Sequence, residues 1–273
     1  MTLRAYRLAL PLFGVPVLGK VNPYLVVVTA EPLVQVELEL EEAEKPRASV
    51  EGARLGWRFE LAVKSFVDTL SSRLEQPLAV RARVKVPGVE YPPAASVYAA
   101  LSLAIVEAVA EAGGYELSRE ELLQAASSID QDAAVWLDYL DGLRAAILRG
   151  ESIVYRSGEE PVPVGHGGRV ELELVGEQDI GEDISPRLSD PLLVAAARLT
   201  GTAVLEAVSA LQSGEASLGD LFPLVARVED GLFYALYGAE PAGEGCKLTP
   251  SLQRVYGVCM AGKGLGERVG FSL

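Results

Sequence analysis

The segment that most constrains this chain runs from Pro92-Pro93 to Gly113-Gly114. Between these breakers lies an Ala-rich tract, residues 94–112, whose only charged residues are Glu107 and Glu111. Proline at the start and glycine just past the end are the ordinary boundaries of a helix. The tract therefore predicts one long helix. The segments before it follow another period. In residues 34–40, Val34, Val36, Leu38 and Leu40 alternate with Gln35, Glu37 and Glu39, the pattern of a half-buried strand. Residues 78–86 alternate in the same way, with Arg81, Arg83 and Lys85 opposite Val80, Ala82, Val84 and Val86.

The same reading extends along the chain. Strands are expected at 3–12, 23–29, 33–40 and 47–56, and a helix at 57–74 with Phe59, Val63, Phe66, Val67 and Leu70 on one face. A capping box at Ser118-Arg119-Glu120-Glu121 opens a helix to 128, followed by a helix over 130–148 and a strand at 153–156. The Pro/Gly-rich stretch 161–169 is the expected linker. Beyond it come a strand at 170–175, an acidic loop at 177–190, helices at 192–213 and 218–237, and a short helix from Thr249-Pro250. Strands at 255–260 and 268–273 flank a glycine turn at 261–266. This order predicts a two-part α+β chain of two-layer α/β type, divided into residues 1–165 and 166–273.

Composition narrows the chemistry. The chain has 273 residues, with 24 Lys+Arg against 38 Asp+Glu and a net charge of −14. Such an acidic balance argues against a nucleic-acid partner, which needs excess cations facing phosphates. The single histidine, His166, excludes a multi-histidine metal site. Cys246 and Cys259 form no CxxC pair, so a zinc ribbon and a disulfide framework are not expected, and a reducing, cytoplasmic setting fits. One Asn, two Met and more Arg than Lys suit a thermostable protein and equally a biased genome. The apolar run 8–17 holds Pro11 and Pro16 and reads as a strand rather than a signal peptide. No stretch of about 18 uninterrupted apolar residues occurs, so no membrane partner is expected.

Four constellations can carry chemistry. Lys20, beside Gly19, can place an ammonium against a phosphate, or be a plain surface lysine. Pro93, Ala94, Ala95 and Ser96 form the start of the long helix, whose N–H groups suit an anion; a proline-started helix is the plainer account. Gly262, Lys263, Gly264 and Gly266 form a backbone able to bend round a ligand, or an ordinary hairpin turn. Asp130, Asp132, Asp138 and Asp141 form an acidic tract. If one helix carries Asp130 and Asp141, they share a face about three turns apart, one suited to Mg²⁺ and one to a hydroxyl proton; a solvated face is the alternative.

Taken in order, these pieces resemble the GHMP kinase superfamily (galactokinase, homoserine kinase, mevalonate kinase, phosphomevalonate kinase and relatives) over almost the whole chain. Leu18-Gly19-Lys20-Val21-Asn22 resembles the first family motif. Pro92-Pro93-Ala94-Ala95-Ser96 stands where the phosphate-binding loop stands. The segment from Asp141-Gly142 to Gly150 resembles the aspartate segment. Ala261-Gly262-Lys263-Gly264-Leu265-Gly266 resembles the C-terminal glycine loop. The resemblance implies a fold with a ribosomal protein S5 domain 2-like N-terminal part and a ferredoxin-like C-terminal part. It implies ATP- and Mg²⁺-dependent transfer to the hydroxyl of a small-molecule substrate. Asp141 and Lys20 would be catalytic. Residues 93–96 would bind the nucleotide, Ser96 and Asp130 would hold Mg²⁺, and Gly262, Lys263, Gly264 and Gly266 would shape the phosphate and substrate loop. A homodimer is a further expectation. Two departures are plain: no glycine lies between Gly88 and Gly113, where active members carry a Gly/Ser-rich loop, and Arg149 replaces the first of two glycines. They support an alternative expectation, a non-catalytic ligand-binding or regulatory protein of the same fold. A mevalonate-branch decarboxylase is a third.

Overall fold

The structure, a computed structural model, describes residues 1–17, 23–53, 55–133, 137–165, 169–180, 185–252, 254–264 and 266–272, without the side chains of 132, 133, 137, 138 and 185. The N-terminal part holds strands β1 (Thr2–Phe13), β2 (Leu25–Glu42) and β3 (Arg47–Gly52), helix α1 (Gly56–Arg73) and strand β4 (Leu78–Lys85). Helices α2 (Ala94–Ala112), α3 (Arg119–Ala133) and α4 (Leu137–Arg149) follow, then β5 (Ile153–Tyr155) and β6 (Val162–Pro163). The C-terminal part holds β7 (Arg169–Asp179), α5 (Ser185–Ser189), α6 (Pro191–Ser213), α7 (Leu218–Tyr237), β8 (Cys246–Ser251), β9 (Arg254–Met260) and β10 (Glu267–Ser272).

Among the described residues, ten strands form one sheet with the path β3-β4-β2-β10-β7-β9-β8, and β1, β5 and β6 branch from it. The two strands expected at 23–29 and 33–40 are one strand of 18 residues, β2. Pro32, between the two expected segments, lies where the β1–β2 register shifts: Arg7 faces Leu33 and Ala9 faces Thr29. A bulge tolerates the missing N–H that a regular ladder would not. β10 pairs antiparallel with both β2 and β7, so the sheet is continuous across the two parts.

α2 is the central helix. From Ala94 to Val106 every side chain is buried, and Glu107 reaches the surface to meet Arg4 and Tyr6. By length and apolarity α2 and α6 each match a membrane-crossing helix, although neither is an uninterrupted apolar run; most of α2 is buried inside the protein. Phe59 and Phe66 of α1 meet the Tyr98 ring edge-on at 6.4 and 6.2 Å, a favoured aromatic geometry.

Three expectations are corrected here. The helix expected over 130–148 is two helices: Asp130 belongs to α3 and Asp141 to α4, so the single-face argument for that pair fails. Thr249-Pro250 starts no helix but lies in β8. Cys246 and Cys259 are directly opposed on β8 and β9 and form a disulfide. Sequence spacing alone cannot show such a cross-strand juxtaposition.

The helical layer is locked by Arg144 on α4, which is fully buried. Its guanidinium pairs with Asp130 of α3 and, at 3.1 Å, with Asp141 of α4. It donates to Ser102 of α2 through Nε (3.1 Å) and a terminal nitrogen (2.9 Å), and the Tyr98 hydroxyl completes Asp130 at 2.5 Å. A second buried pair joins Lys247 of β8 to Glu229 of α7 at 2.6 Å; Glu229 also accepts from Gly14 N, and Lys247 donates to the Leu12 carbonyl.

Two predictions follow from these buried charges. Removing one partner of such a network strands the other in low dielectric, so Arg144→Met is expected to cost about 3–5 kcal/mol. Urea denaturation checks this; a loss below about 1 kcal/mol would show that the network is dispensable. Burial holds the carboxyls of Asp141, Glu229 and Asp230 above their ordinary values. Native protein then binds protons more tightly than unfolded chain, so these groups favour folding as pH falls from neutral toward the ordinary carboxylate range. Relief of self-repulsion at net −14 acts in the same direction. The melting temperature at about pH 5.5 should exceed that at about pH 7.5 at fixed ionic strength; a fall would contradict the assignment.

Candidate functional site

The site expected at the start of α2 is built by β7. This strand carries a register irregularity between Leu174 and Gly176, where Gly176 has a φ of 122°, a conformation open mainly to glycine. Glu173 lies on one side of the irregularity and meets two backbone amides; Glu177 lies on the other and meets one backbone amide, a hydroxyl and a guanidinium.

Glu177 sits at the head of α2. Its Oε1 accepts from Ala94 N at 3.1 Å and from the Ser251 hydroxyl at 2.5 Å. Its Oε2 accepts from Arg254 at 3.1 Å. Ser251 Oγ accepts in turn from Ala95 N at 3.4 Å. Arg254 Nε lies 3.1 Å from Asp179, and Arg58 lies 3.6 Å from the same carboxylate. A helix N-terminus carries unpaired N–H groups and the positive end of the dipole, so a carboxylate there is favoured. A cavity of about 190 Å³ remains beside this cluster, lined by Trp57, Arg58, Ala94, Glu177, Asp179 and Arg254.

Glu173, fully buried, does the same for the glycine loop. Its Oε1 accepts from Gly262 N at 2.8 Å and Gly264 N at 3.0 Å, with Arg268 Nε 3.6 Å away. Gly262 and Gly264 hold φ values of 107° and 69°, which directs their amides inward. Gly266 serves a different purpose: a Cβ there would meet the Leu174 carbonyl oxygen at 2.1 Å, so glycine is required for strand approach. A third carboxylate, Glu267, accepts from Glu90 N at 2.8 Å, and Tyr256 donates to the Tyr91 carbonyl at 2.7 Å. These two contacts bring the end of the glycine loop against the segment that leads into α2.

The other expected residues are placed differently. Ser96 is buried and its hydroxyl donates to the Ala9 carbonyl of β1. Asp130 is enclosed with Arg144 and Tyr98. Neither presents a free oxygen to a cation, and their assignment to Mg²⁺ is corrected on that ground. Among the described residues no group of three or more His, Cys, Asp or Glu side chains converges as a metal site. Asp141 accepts from Ser127 at 2.7 Å and from Arg144 at 3.1 Å, and its side chain is 15% exposed. Burial raises its carboxyl pKa, opposed by Arg144 and the Ser127 hydroxyl. The Lys263 stem passes over Gly245 and lines a separate cavity of about 630 Å³ with Arg227 and Asp230. Lys20, with Gly19 and Asn22, lies outside the described residues, as do His166 and Leu265.

Glu173, Glu177, Ser251, Arg254 and Arg144 escaped the sequence reading. Arg144 sat inside the quoted aspartate segment. Glu173 and Glu177 looked like solvent-facing residues of an alternating strand and an acidic loop. No local signal marks a carboxylate whose partner amides lie on distant segments.

No protein-family model and no curated protein sequence matches the chain. Solved structures do. A mevalonate kinase from L. major, in complex with R-mevalonate, superposes with a TM-score of 0.65 at 17% identity, over 97% of this chain and 88% of that one. A phosphomevalonate kinase from Streptococcus pneumoniae, in complex with phosphomevalonate and AMPPNP, gives 0.59 at 12% identity, over 100% and 92%. A mevalonate pyrophosphate decarboxylase from Streptococcus pyogenes gives 0.59 at 8% identity, over 100% and 96%. The chain has the α+β fold of these two kinases and this decarboxylase, at low sequence identity.

Proposed function

We propose that this protein is a non-catalytic member of the GHMP fold, a ligand-binding or regulatory protein rather than a phosphoryl-transfer enzyme. One observation carries the reading: the amides at the head of α2 are already bonded to Glu177 and Ser251. The glycine-loop amides, bonded to Glu173, repeat the arrangement. A nucleotide phosphate entering there would have to displace a carboxylate that also holds Arg254 and Ser251, and it would face that negative charge while doing so. The Ser96 and Asp130 oxygens do not fit Mg²⁺, so the reading routes nothing through that ion. The remaining cavity beside Trp57 is of a size for a small molecule or part of one. Cytoplasmic placement and heat adaptation belong to the same reading. The Cys246–Cys259 bond is compatible with both, because intracellular proteins of hyperthermophiles carry disulfides.

A second reading, ATP-dependent phosphorylation of a small alcohol, is favoured by Asp141. This carboxylate keeps an edge in solvent and has its proton affinity raised by burial, two properties of a general base. The decarboxylase alternative also requires ATP and is decided by the same measurement.

Titration calorimetry with Mg-ATP should show no binding at millimolar nucleotide for the wild-type protein, and Glu177→Ala should gain affinity at least about tenfold by freeing the amides and Arg254. Micromolar binding by the wild type would overturn the proposal. If transfer to any alcohol is found, Asp141→Asn should reduce kcat by about 10²-fold or more in protein shown by circular dichroism to be folded at the assay temperature; unchanged turnover would remove Asp141 from the chemistry.

A further inference from the structure

The outer face of α6 is not explained by the fold or by the site. Along 23 residues this helix carries two charges, Arg198 and Glu206. Its inner positions Val194, Ala197, Gly201, Val204 and Val208 are buried. Its outer positions Leu192, Leu199 and Leu205 are 79%, 70% and 40% exposed. A helix apolar on both sides is covered on both sides, or exposes a patch that marks an interaction surface.

The order of residues on that face is symmetric about Thr202. Arg198 stands four residues before Thr202 and Glu206 four after. Leu199 stands three before and Leu205 three after. Ala195 stands seven before and Ser209 seven after. All seven positions are exposed. At about 100° per residue they lie within about 60° of the Thr202 direction. In a two-fold antiparallel helix pair with its axis at Thr202, residues equidistant from that point face each other. Arg198 then meets Glu206 of the second copy, twice, and Leu199 meets Leu205, twice. Neither Arg198 nor Glu206 has an ion-pair partner among the described residues, so the charges are available for this match. Ala195, Thr202 and Ser209, spaced by seven, form the small-residue seam that lets two such helices approach closely.

We propose that α6 is the dimer interface of this protein, packed antiparallel on α6 of a second copy about a two-fold axis at Thr202. A lipid surface is a poorer match. The face carries a single cation, and a protein of net charge −14 is repelled by anionic headgroups. A single helix pair buries less than a standard interface, so the dimer is reversible and dissociates on dilution.

Sedimentation velocity from about 1 to about 100 μM tests this directly, since weak interfaces dissociate in that range. The wild type should shift from monomer toward dimer with concentration. Arg198→Glu alone and Glu206→Arg alone should each weaken association at least about tenfold, because each places like charges opposite one another twice. The double variant Arg198→Glu/Glu206→Arg should restore association, since it reverses both members of each pair. Both substituted positions are on an exposed surface, and circular dichroism confirms that each variant is folded. A wild type that stays monomeric at about 100 μM, single variants that associate normally, or a double variant without rescue would each overturn the proposal. Flotation with vesicles of phosphatidylcholine and phosphatidylglycerol should leave the protein unbound; co-flotation that Leu199→Glu abolishes would assign the face to lipid instead.

Discussion

An apolar helix buried from its first residue has to have its end answered inside the protein. α2 enters the core directly at Ala94, so its leading N–H groups and the positive end of its dipole cannot rely on water. Glu177 meets that requirement. The position of β7, the irregularity at Leu174–Gly176, the place of Ser251 at the end of β8 and the reach of Arg254 all serve to set one carboxylate at one helix end. Glycine-rich turns that direct several amides to one point pose the same problem, and Glu173 answers it for Gly262 and Gly264. The chain thus directs backbone amides to shared points and supplies the anions from its own side chains.

This arrangement gives the excess of acid a structural meaning. Of the 38 Asp and Glu residues, those that matter most are not on the surface. Asp130 and Asp141 share the Arg144 guanidinium, Glu229 shares the Lys247 ammonium, and Asp230 accepts from Leu248 N. Each is a carboxylate bonded to donors from another segment. Tertiary contacts that elsewhere would be apolar are here directional, and they fix which helix faces which strand.

Much of this architecture was legible in the sequence. The boundaries of α2 followed from Pro and Gly, α6 and α7 were legible as long apolar tracts, and β4 followed from its alternation. The failures share one cause, which is that the deciding partner is remote. The division of 130–148 into α3 and α4 has no Gly or Pro to announce it, and Asp130 turns inward because Arg144 is there. Thr249-Pro250 has the letters of a helix start, yet Thr249 donates to the Pro11 carbonyl of β1, and Pro250 is tolerated because β8 ends the sheet path. The candidate site was legible as a set of segments and not as a chemistry. Glu90 and Tyr91, which lead into residues 93–96, are tied to Glu267 and Tyr256, and what each amide bonds to depended on two glutamates of β7.

The place of β10 bears on how the molecule is made. Phe271 pairs with Ala30, and Ser272 with Thr29, so the strand that joins the two halves is matched with residues near the opposite end of the sequence. Closing so long a loop is entropically slow and comes before most of its stabilising contacts. The N-terminal hairpin β1–β2 and the local helical layer α2–α4 are expected to form early. Until β10 inserts, the adjoining edges of β2 and β7 lack their partner. Unpaired edges of that kind invite pairing with other chains, so the interval before β10 docks is the period in which this protein is most prone to aggregate.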